Sequence, residues 1–185
     1  DEKKLAQMIH NNIGARPRMI LAMMMYERMM CVYPALLTKK SMENINATGI
    51  DDEYNKGANY HSKLDNVIHS IVERKDNKNN KIIFANFKGE IDYIKQELTS
   101  KGMSVEYIDG RVTKRQRKII LANTVDVLIL QIKTGNEGLN LQNYNEVYFV
   151  TPDWNPQTEE QAIARCHRIG QKKEVFVFRF IMTSF

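Results

Sequence analysis

The sequence is poor in the features that mark secreted and membrane proteins. Its 185 residues include only two cysteines, Cys31 and Cys166. Two cysteines so far apart do not make a disulfide framework, so a reducing, intracellular setting is the simpler interpretation. No apolar run reaches the roughly 18 residues of a membrane-spanning helix. The richest stretch, residues 19–37, is interrupted by charged residues and a proline, so we expect no membrane partner.

Motifs that would bind a nucleotide or a metal within this chain are also missing. There is no GxxxxGK[ST] phosphate loop and no Asp-Glu-x-His metal box. A dinucleotide enzyme would need a GxGxxG turn after the first predicted strand, where the sequence reads NFKGE. The histidines do not follow a zinc-binding spacing, so we expect no metal site here. The chain begins with Asp1 and not with an initiator Met, from which we expect a piece of a longer polypeptide.

The overall composition is that of a globular protein with a positive charge. Hydrophobic residues make up 43% and charged residues 26% of the chain, which are ordinary values for a folded domain. The length allows one domain with a core, or one domain with a helical extension. A formal charge of +5 and a pI near 9.1 fit a polyanionic partner without establishing one.

The order of the apolar segments predicts an α/β fold. Residues 1–59 are predicted to be a helical extension followed by an irregular, polar linker. Residues 60–185 alternate short apolar runs with helical periods, and the predicted strands are 81–85, 105–108, 125–132, 146–150 and 175–181. This alternation predicts a doubly wound, mainly parallel sheet with flanking helices. Such a sheet binds ligands beyond the C-terminal ends of its strands, which places loops 86–89, 109–113, 133–142 and 151–156 on one edge.

A helix with clear boundary signals is predicted near the C-terminus. Asn155 is a good N-cap, and Pro156 occupies the first helical position, where its missing N–H has no cost. Gly170 supplies the stop after the last turn. An earlier helix has a capping box formed by Thr113 and Gln116.

Two arginines on the C-terminal helix form the main candidate site. Gln161, Arg165 and Arg168 are spaced i, i+4 and i+7 and are predicted to share one face. The neighbouring apolar stripe consists of Ala162, Cys166 and Ile169. Guanidiniums one turn apart repel each other unless an anion lies beside them, and their planar forks suit a phosphate. The alternative for this spacing alone is a surface helix tied to carboxylates.

Three segments together resemble a known family. GLNL (138–141), DWNP (153–156) and QAIARCHRIGQ (161–171) are similar to motifs V and VI of superfamily-two helicases, and more narrowly to those of the Swi/Snf-type DNA translocases. The resemblance covers about residues 20–37 and 60–182. It implies the RecA-like C-terminal helicase lobe of a DNA-dependent ATPase.

The resemblance also implies a nucleotide site shared with a second lobe. Arg165 and Arg168 would act as arginine fingers on ATP with Mg²⁺, bound mainly by the N-terminal RecA-like lobe of the same polypeptide, and Gln161 would orient the nucleotide or the fingers. The loop KTGNEGLNL resembles motif V, and its residues implied to lie near the nucleotide are Gly135, Gly138 and Asn140. On its own that loop would be interpreted as a plain glycine turn.

Double-stranded DNA is the implied second ligand, held by its backbone. The residues implied in these contacts are Asn86, Phe87 and Lys88 of motif IV, Arg111, Thr113 and Lys114 after an Asp-Gly turn, and Lys133 and Thr134 of motif V. Such contacts would be independent of base sequence and sensitive to salt. The alternative for the Asp-Gly segment is a solvated charged turn. Trp154 is predicted to pack beneath the arginine helix and not to stack on a base.

The implied function is that of the C-terminal motor lobe of an ATP-dependent double-stranded DNA translocase. The resemblance places it at nuclear, cellular or viral sites of DNA metabolism, within a chromatin, transcription or repair complex. As an isolated lobe it is expected to have no meaningful ATPase activity. The alternative function is a stand-alone, basic nucleic-acid-binding module that has the RecA-like fold and no motor activity.

Overall fold

The computed structural model of this chain describes residues 17–37, 62–133 and 139–182. The chain divides into two compact units, Asp1–Leu64 with Met182–Phe185, and Asp65–Ile181. In the first unit, helix α1 spans Pro17–Val32 and a 3₁₀ turn follows at Pro34–Leu36. The predicted linker lies outside the described residues, and the domain boundary after residue 59 stays a prediction. None of the described helices is long and apolar enough to cross a membrane.

The second unit contains a five-stranded parallel sheet, as predicted. After helix α2 (Ser62–Glu73) the elements are β1 Lys81–Ala85, α3 Lys88–Ser100, β2 Val105–Ile108, α4 Lys114–Ala122, β3 Val127–Gln131, β4 Glu146–Phe149, α5 Pro156–Cys166 and β5 Phe176–Arg179. The strand order is β2-β3-β1-β4-β5, and every neighbouring pair is parallel. Central strand β1 is buried along its whole length, as expected of a parallel strand covered on both faces.

The helix boundaries in this unit follow local side-chain signals. Thr113 accepts a hydrogen bond from the Gln116 N–H at 3.3 Å, and the Gln116 side chain accepts one from the Thr113 N–H at 3.0 Å. The predicted capping box of α4 is therefore confirmed. Helix α3 ends as predicted before Gly102, whose φ of +81° suits a residue without a Cβ.

The beginning of the sheet is held by a buried carboxylate that the sequence did not point to. Glu146 accepts hydrogen bonds from Arg74 (2.7 and 3.0 Å), Asn77 (2.6 Å) and the Tyr148 hydroxyl (2.8 Å). The buried Lys81 ammonium lies 3.6 Å from the same carboxylate. Burial alone would raise the pKa of Glu146, but these hydrogen bonds, led by that of Arg74, hold it below its usual value. Burial lowers the pKa of Lys81 by more than Glu146 raises it, whereas the hydrogen bond to Glu146 raises the pKa of Arg74. Arg74 is therefore the principal counter-ion of Glu146.

Candidate functional site

Helix α5 begins where the sequence predicted. The Asn155 side chain accepts a hydrogen bond from the Gln157 N–H at 3.0 Å, and Pro156 is the first helical residue. This N-cap follows directly on the loop after β4, so the helix starts at the C-terminal edge of the sheet.

A buried glutamate near the start of α5 fastens the helix to the sheet. Glu159 accepts a hydrogen bond from the Asp153 N–H at 2.9 Å and another from the Arg179 guanidinium at 2.7 Å. Arg179 also lies over the Phe149 ring, 5.7 Å from its centroid. This role of Glu159 was not predictable from the sequence, because the tertiary fold brings Asp153 and Arg179 to it.

The end of α5 differs from the prediction. The helix ends at Cys166, not beside Gly170, because groups from elsewhere bind its last carbonyls. The Leu141 N–H donates to the Arg165 carbonyl at 3.2 Å, and the Gln171 side chain donates to the Cys166 carbonyl at 3.3 Å. Gly170, with φ of +105°, lies instead in a turn closed by the Gln171 N–H on the Arg168 carbonyl at 2.9 Å.

This early end changes the arrangement of the arginines. Arg165 is half-buried in the last turn of α5, whereas Arg168 is exposed in the following turn, so the prediction of one shared helical face with Gln161 is wrong for Arg168. Ile169 is fully exposed and does not continue the apolar stripe. Among the described residues no carboxylate forms an ion pair with either guanidinium. Both guanidiniums can therefore donate hydrogen bonds to an anion.

The arginines and the predicted DNA-binding loops lie at different ends of the sheet. A helix that connects two parallel strands runs back against them. The last turn of α5 is bonded to Leu141, five residues before β4 begins at Glu146. Asn86 and Arg111, in contrast, follow the C-terminal ends of β1 and β2. The fold thus forms two candidate sites, near the two ends of α5.

In the turn between β1 and α3, two backbone N–H groups are bound within the protein and one lysine is exposed. The Glu90 side chain accepts hydrogen bonds from the N–H groups of Asn86 and Phe87, at 2.9 and 3.0 Å. The Asn86 carbonyl accepts one from Gln131 at 3.0 Å. Because these groups are used within the protein, the exposed Lys88 is the better phosphate contact in this turn.

Arg111 has partners within the protein that the sequence did not reveal. Its guanidinium donates two hydrogen bonds to Asp92, at 2.8 and 2.9 Å, and one to Asp109 at 2.8 Å, and it lies 4.9 Å from the Tyr107 ring centroid. The two carboxylates raise the pKa of Arg111. Arg111 holds the Asp-Gly turn in place, because its fork binds two carboxylates, and its predicted phosphate contact stays a prediction.

The remaining predicted residues of this edge divide into exposed lysines and groups with other roles. The Thr113 hydroxyl caps α4, whereas Lys114 and Lys133 are exposed. The exposed Asn140 accepts a hydrogen bond from the Gln142 N–H at 3.3 Å. Three predicted residues, Thr134, Gly135 and Gly138, lie outside the described residues.

Two further observations bear on the predicted chemistry. Within residues 17–37, 62–133 and 139–182, no group of three His, Cys, Asp or Glu side chains could hold a metal ion. Trp154 is 57% exposed, so its interpretation as a packing residue beneath α5 is wrong.

The Asp109–Arg111 pair predicts an acid-sensitive contribution to stability. Burial would raise the pKa of Asp109, but the hydrogen bonds from Arg111 outweigh burial and lower it. The contribution is therefore complete above an unfolded-state pKa of about 3.9 and is lost as pH falls through the lower folded-state pKa. We expect Asp109→Asn to lower the free energy of unfolding by about 1–3 kcal/mol near pH 7 and less in acid.

Urea unfolding of both proteins between neutral and acidic pH would measure this difference. Asp92→Asn is the control, because Asp92 is 54% exposed and its pairing with Arg111 is screened by solvent. Parallel pH profiles for the wild type and Asp109→Asn would contradict the prediction.

Comparison with known proteins places this chain among helicase C-terminal domains. A family model described as the helicase conserved C-terminal domain matches residues 62–170. The chain is 35% identical over 127 residues to the DNA repair protein rhp54 of Schizosaccharomyces pombe, covering 65% of this chain and 15% of that protein. It is 32% identical over 130 residues to the human helicase-like transcription factor, covering 65% of this chain and 13% of that protein.

A solved structure shares the fold. The crystal structure of the C-terminal part of the Fun30 ATPase domain superposes with a TM-score of 0.70 at 16% sequence identity, covering 97% of this chain and 78% of that one. This likeness identifies the parallel sheet and its helices as a RecA-like fold, as predicted. The chain spans less than a fifth of the length of the two sequence relatives described above.

Proposed function

The chain belongs to the family of helicase conserved C-terminal domains, as a lobe of the Swi/Snf type, and we propose that it is the C-terminal motor lobe of an ATP-dependent double-stranded DNA translocase. The observation that carries this proposal is the pair Arg165 and Arg168, which follow one another across the end of α5 without a carboxylate partner among the described residues. Such a pair suits the triphosphate of a nucleotide held by a second lobe.

The residues of this chain fit one part of a nucleotide site. The two guanidiniums can donate to phosphate oxygens, but the described residues bring together no carboxylates that would hold a metal. ATP and Mg²⁺ would accordingly be bound mainly by the N-terminal RecA-like lobe of the same polypeptide. Mg²⁺ bound there would supply positive charge against the phosphates.

In this proposal each lobe closure brings the arginines onto the nucleotide. Arg165 and Arg168 stabilise the charge that spreads over the transferring phosphoryl group, and Gln161 orients the nucleotide or the fingers. The exposed lysines Lys88 and Lys114, at the C-terminal edge of the sheet, hold the DNA backbone. Closure and reopening of the lobes would then move the DNA contacts of each lobe alternately along the duplex.

ATP hydrolysis by the chain alone and by the two-lobed polypeptide tests the proposal. We expect no turnover above background from the 185 residues, and DNA-stimulated turnover once the N-terminal lobe is present. The reason is that the phosphate-binding groups and the arginines would then face each other. Robust hydrolysis by the chain alone would contradict the shared site. Equal DNA binding with and without the second lobe, and no hydrolysis in either, would favour the stand-alone binding module.

Lysine substitutions test the DNA-binding part. Each phosphate contact contributes about −0.9 to the slope of log K against log salt for duplex DNA. We expect Lys88→Ala and Lys114→Ala each to weaken DNA binding and to reduce the magnitude of that slope by about 0.9. Lys101→Ala is the matched control, since Lys101 is an exposed lysine after α3, at the opposite end of the sheet. An equal effect of all three substitutions would contradict DNA binding at the C-terminal edge of the sheet.

The relatives support a place for the whole protein in DNA metabolism. One bears the name of a DNA repair protein and another that of a transcription factor. We infer that this lobe acts on DNA in the nucleus, within a repair or transcription complex. The relatives support this nuclear site over the viral alternative.

A further inference from the structure

Two glutamines lie beside the turn that carries Arg168, and each donates a hydrogen bond to the backbone of the segment that contains the other. The Gln142 side chain donates a hydrogen bond to the Ile169 carbonyl at 2.6 Å. In return, the Gln171 side chain donates to the Gln142 carbonyl at 2.8 Å and to the Cys166 carbonyl at 3.3 Å. We refer to Gln142 and Gln171 as the glutamine clasp. It joins residues 139–144 to the turn that carries Arg168.

Backbone contacts reinforce the glutamine clasp. The Leu141 N–H donates to the Arg165 carbonyl at 3.2 Å, and the Gln171 N–H donates to the Arg168 carbonyl at 2.9 Å. A Cβ at Gly170 would lie 3.4 Å from the Gln142 side-chain nitrogen, so this turn packs closely against Gln142. The backbone carbonyls of Arg165 and Arg168 therefore both accept hydrogen bonds from the two segments that the clasp joins.

The clasp lies near the start of β4, on the segment that follows the predicted DNA contacts in sequence. Residues 139–144 follow the predicted DNA contacts Lys133 and Thr134 in sequence and lead to the start of β4. The clasp hydrogen bonds end on backbone carbonyls, so a displacement of residues 139–144 displaces the backbone of the turn and not only a side chain. Glutamine suits this role because its amide donates and accepts at the end of a long, uncharged side chain.

We propose that Gln142 and Gln171 are positioning residues that transmit a shift of residues 139–144 to Arg165 and Arg168. The roles of the two arginines rest on the function proposed above. The clasp itself rests only on the hydrogen bonds of this lobe. When DNA binding displaces residues 139–144, the clasp moves the end of α5 and the arginine turn together, and the fingers reach the nucleotide.

Hydrogen exchange measured by mass spectrometry tests the mechanical part of the proposal. Gln142→Met and Gln171→Met keep the length of each side chain and remove its hydrogen bonds. We expect the amides of residues 168–171 to exchange about tenfold faster in both variants. Gln142→Lys restores a donor to the Ile169 carbonyl and is expected to return most of the protection. Gln157→Met is the matched control, since Gln157 is exposed at the other end of α5.

The ratio of DNA-stimulated to basal ATP hydrolysis in the intact polypeptide tests the transmission. We expect Gln142→Met and Gln171→Met to lower this ratio about tenfold, without a matching change in DNA affinity, because one lost hydrogen bond of about 1.4 kcal/mol corresponds to a factor of ten. Gln142→Lys is expected to recover much of the ratio, whereas Gln157→Met leaves it unchanged. A purely structural role would lower both rates alike and leave the ratio intact.

The outcomes distinguish failure of the clasp from failure of the proposed function, on which transmission to the arginines rests. Unchanged exchange in residues 168–171 overturns the clasp, whatever the hydrolysis shows. Faster exchange with an unchanged ratio overturns transmission and leaves Gln142 and Gln171 as structural residues. An intact wild-type polypeptide without DNA-stimulated hydrolysis overturns the proposed function, and transmission with it, while the exchange measurement still decides whether the clasp holds the turn.

Discussion

Replacing Arg168 by alanine in the intact polypeptide is expected to lower kcat for DNA-stimulated ATP hydrolysis about a thousandfold or more, the effect of removing an arginine finger. The guanidinium would stabilise charge that develops on the transferring phosphoryl group and would contribute little to ground-state binding. KM for ATP is accordingly expected to change far less than kcat. The same result is expected for Arg165→Ala, since both guanidiniums lack a carboxylate partner among the described residues.

Two further variants make this measurement specific. Arg168→Lys keeps the charge but loses the planar fork, so an intermediate kcat is expected. Arg115→Ala removes an exposed arginine of α4 and serves as the control at saturating DNA. If Arg168→Ala keeps kcat within threefold of the wild type at saturating ATP and DNA, Arg168 is not a finger.

Features determined by neighbouring residues were predictable from the sequence. The bounds of β1 and β2, the capping box of α4 and the Asn155–Pro156 start of α5 all match the prediction. Each depends on an apolar run or on side chains within about four residues of one another. The remaining strands are shorter than predicted by one to three residues, because apolar residues continue beyond the paired part of a strand.

Features determined by distant residues were not predictable. Helix α5 ends early because Leu141 and Gln171 bind its last carbonyls. Arg111 is held by Asp92, which comes from the preceding helix. A sequence motif indicates which residue types a site contains, but it does not show which cation already has an acidic neighbour. This is why the structural role of Arg111, which its predicted phosphate contact did not indicate, appears only in the fold.

The buried carboxylate at the start of β4 is another feature that only the fold reveals, and its removal is expected to give the largest loss of stability. We expect Glu146→Ala to lower the free energy of unfolding by about 3–5 kcal/mol, the cost of removing one partner of a buried ion pair. The Glu146 side chain is fully buried, and Lys81 beside it is 1% exposed. Without the carboxylate, Lys81 would remain buried without its counter-ion, and Arg74 and Tyr148 would each lose a hydrogen-bond acceptor.

Urea unfolding of the chain near pH 7 would measure this loss. Glu106→Ala is the matched control, because Glu106 lies in a strand and faces Lys95 at 3.9 Å, with the two side chains 43% and 37% exposed. Exposed pairs of this kind contribute about 0–1 kcal/mol. A loss no greater for Glu146→Ala than for Glu106→Ala would show that the buried carboxylate does not hold the start of the sheet.

A double substitution distinguishes the cost of an unpaired charge from the loss of hydrogen bonds. Glu146→Gln keeps the size of the side chain and part of its hydrogen bonding, but it removes the counter-ion of Lys81. If the buried charge dominates, Lys81→Met combined with Glu146→Gln is expected to be more stable than Glu146→Gln alone, since the desolvated ammonium is gone. If the hydrogen bonds from Arg74 and Asn77 dominate, Lys81→Met adds its own loss. The sign of the coupling energy in this double-mutant cycle therefore shows whether Glu146 stabilises the sheet mainly as a counter-ion of Lys81 or mainly as a hydrogen-bond acceptor.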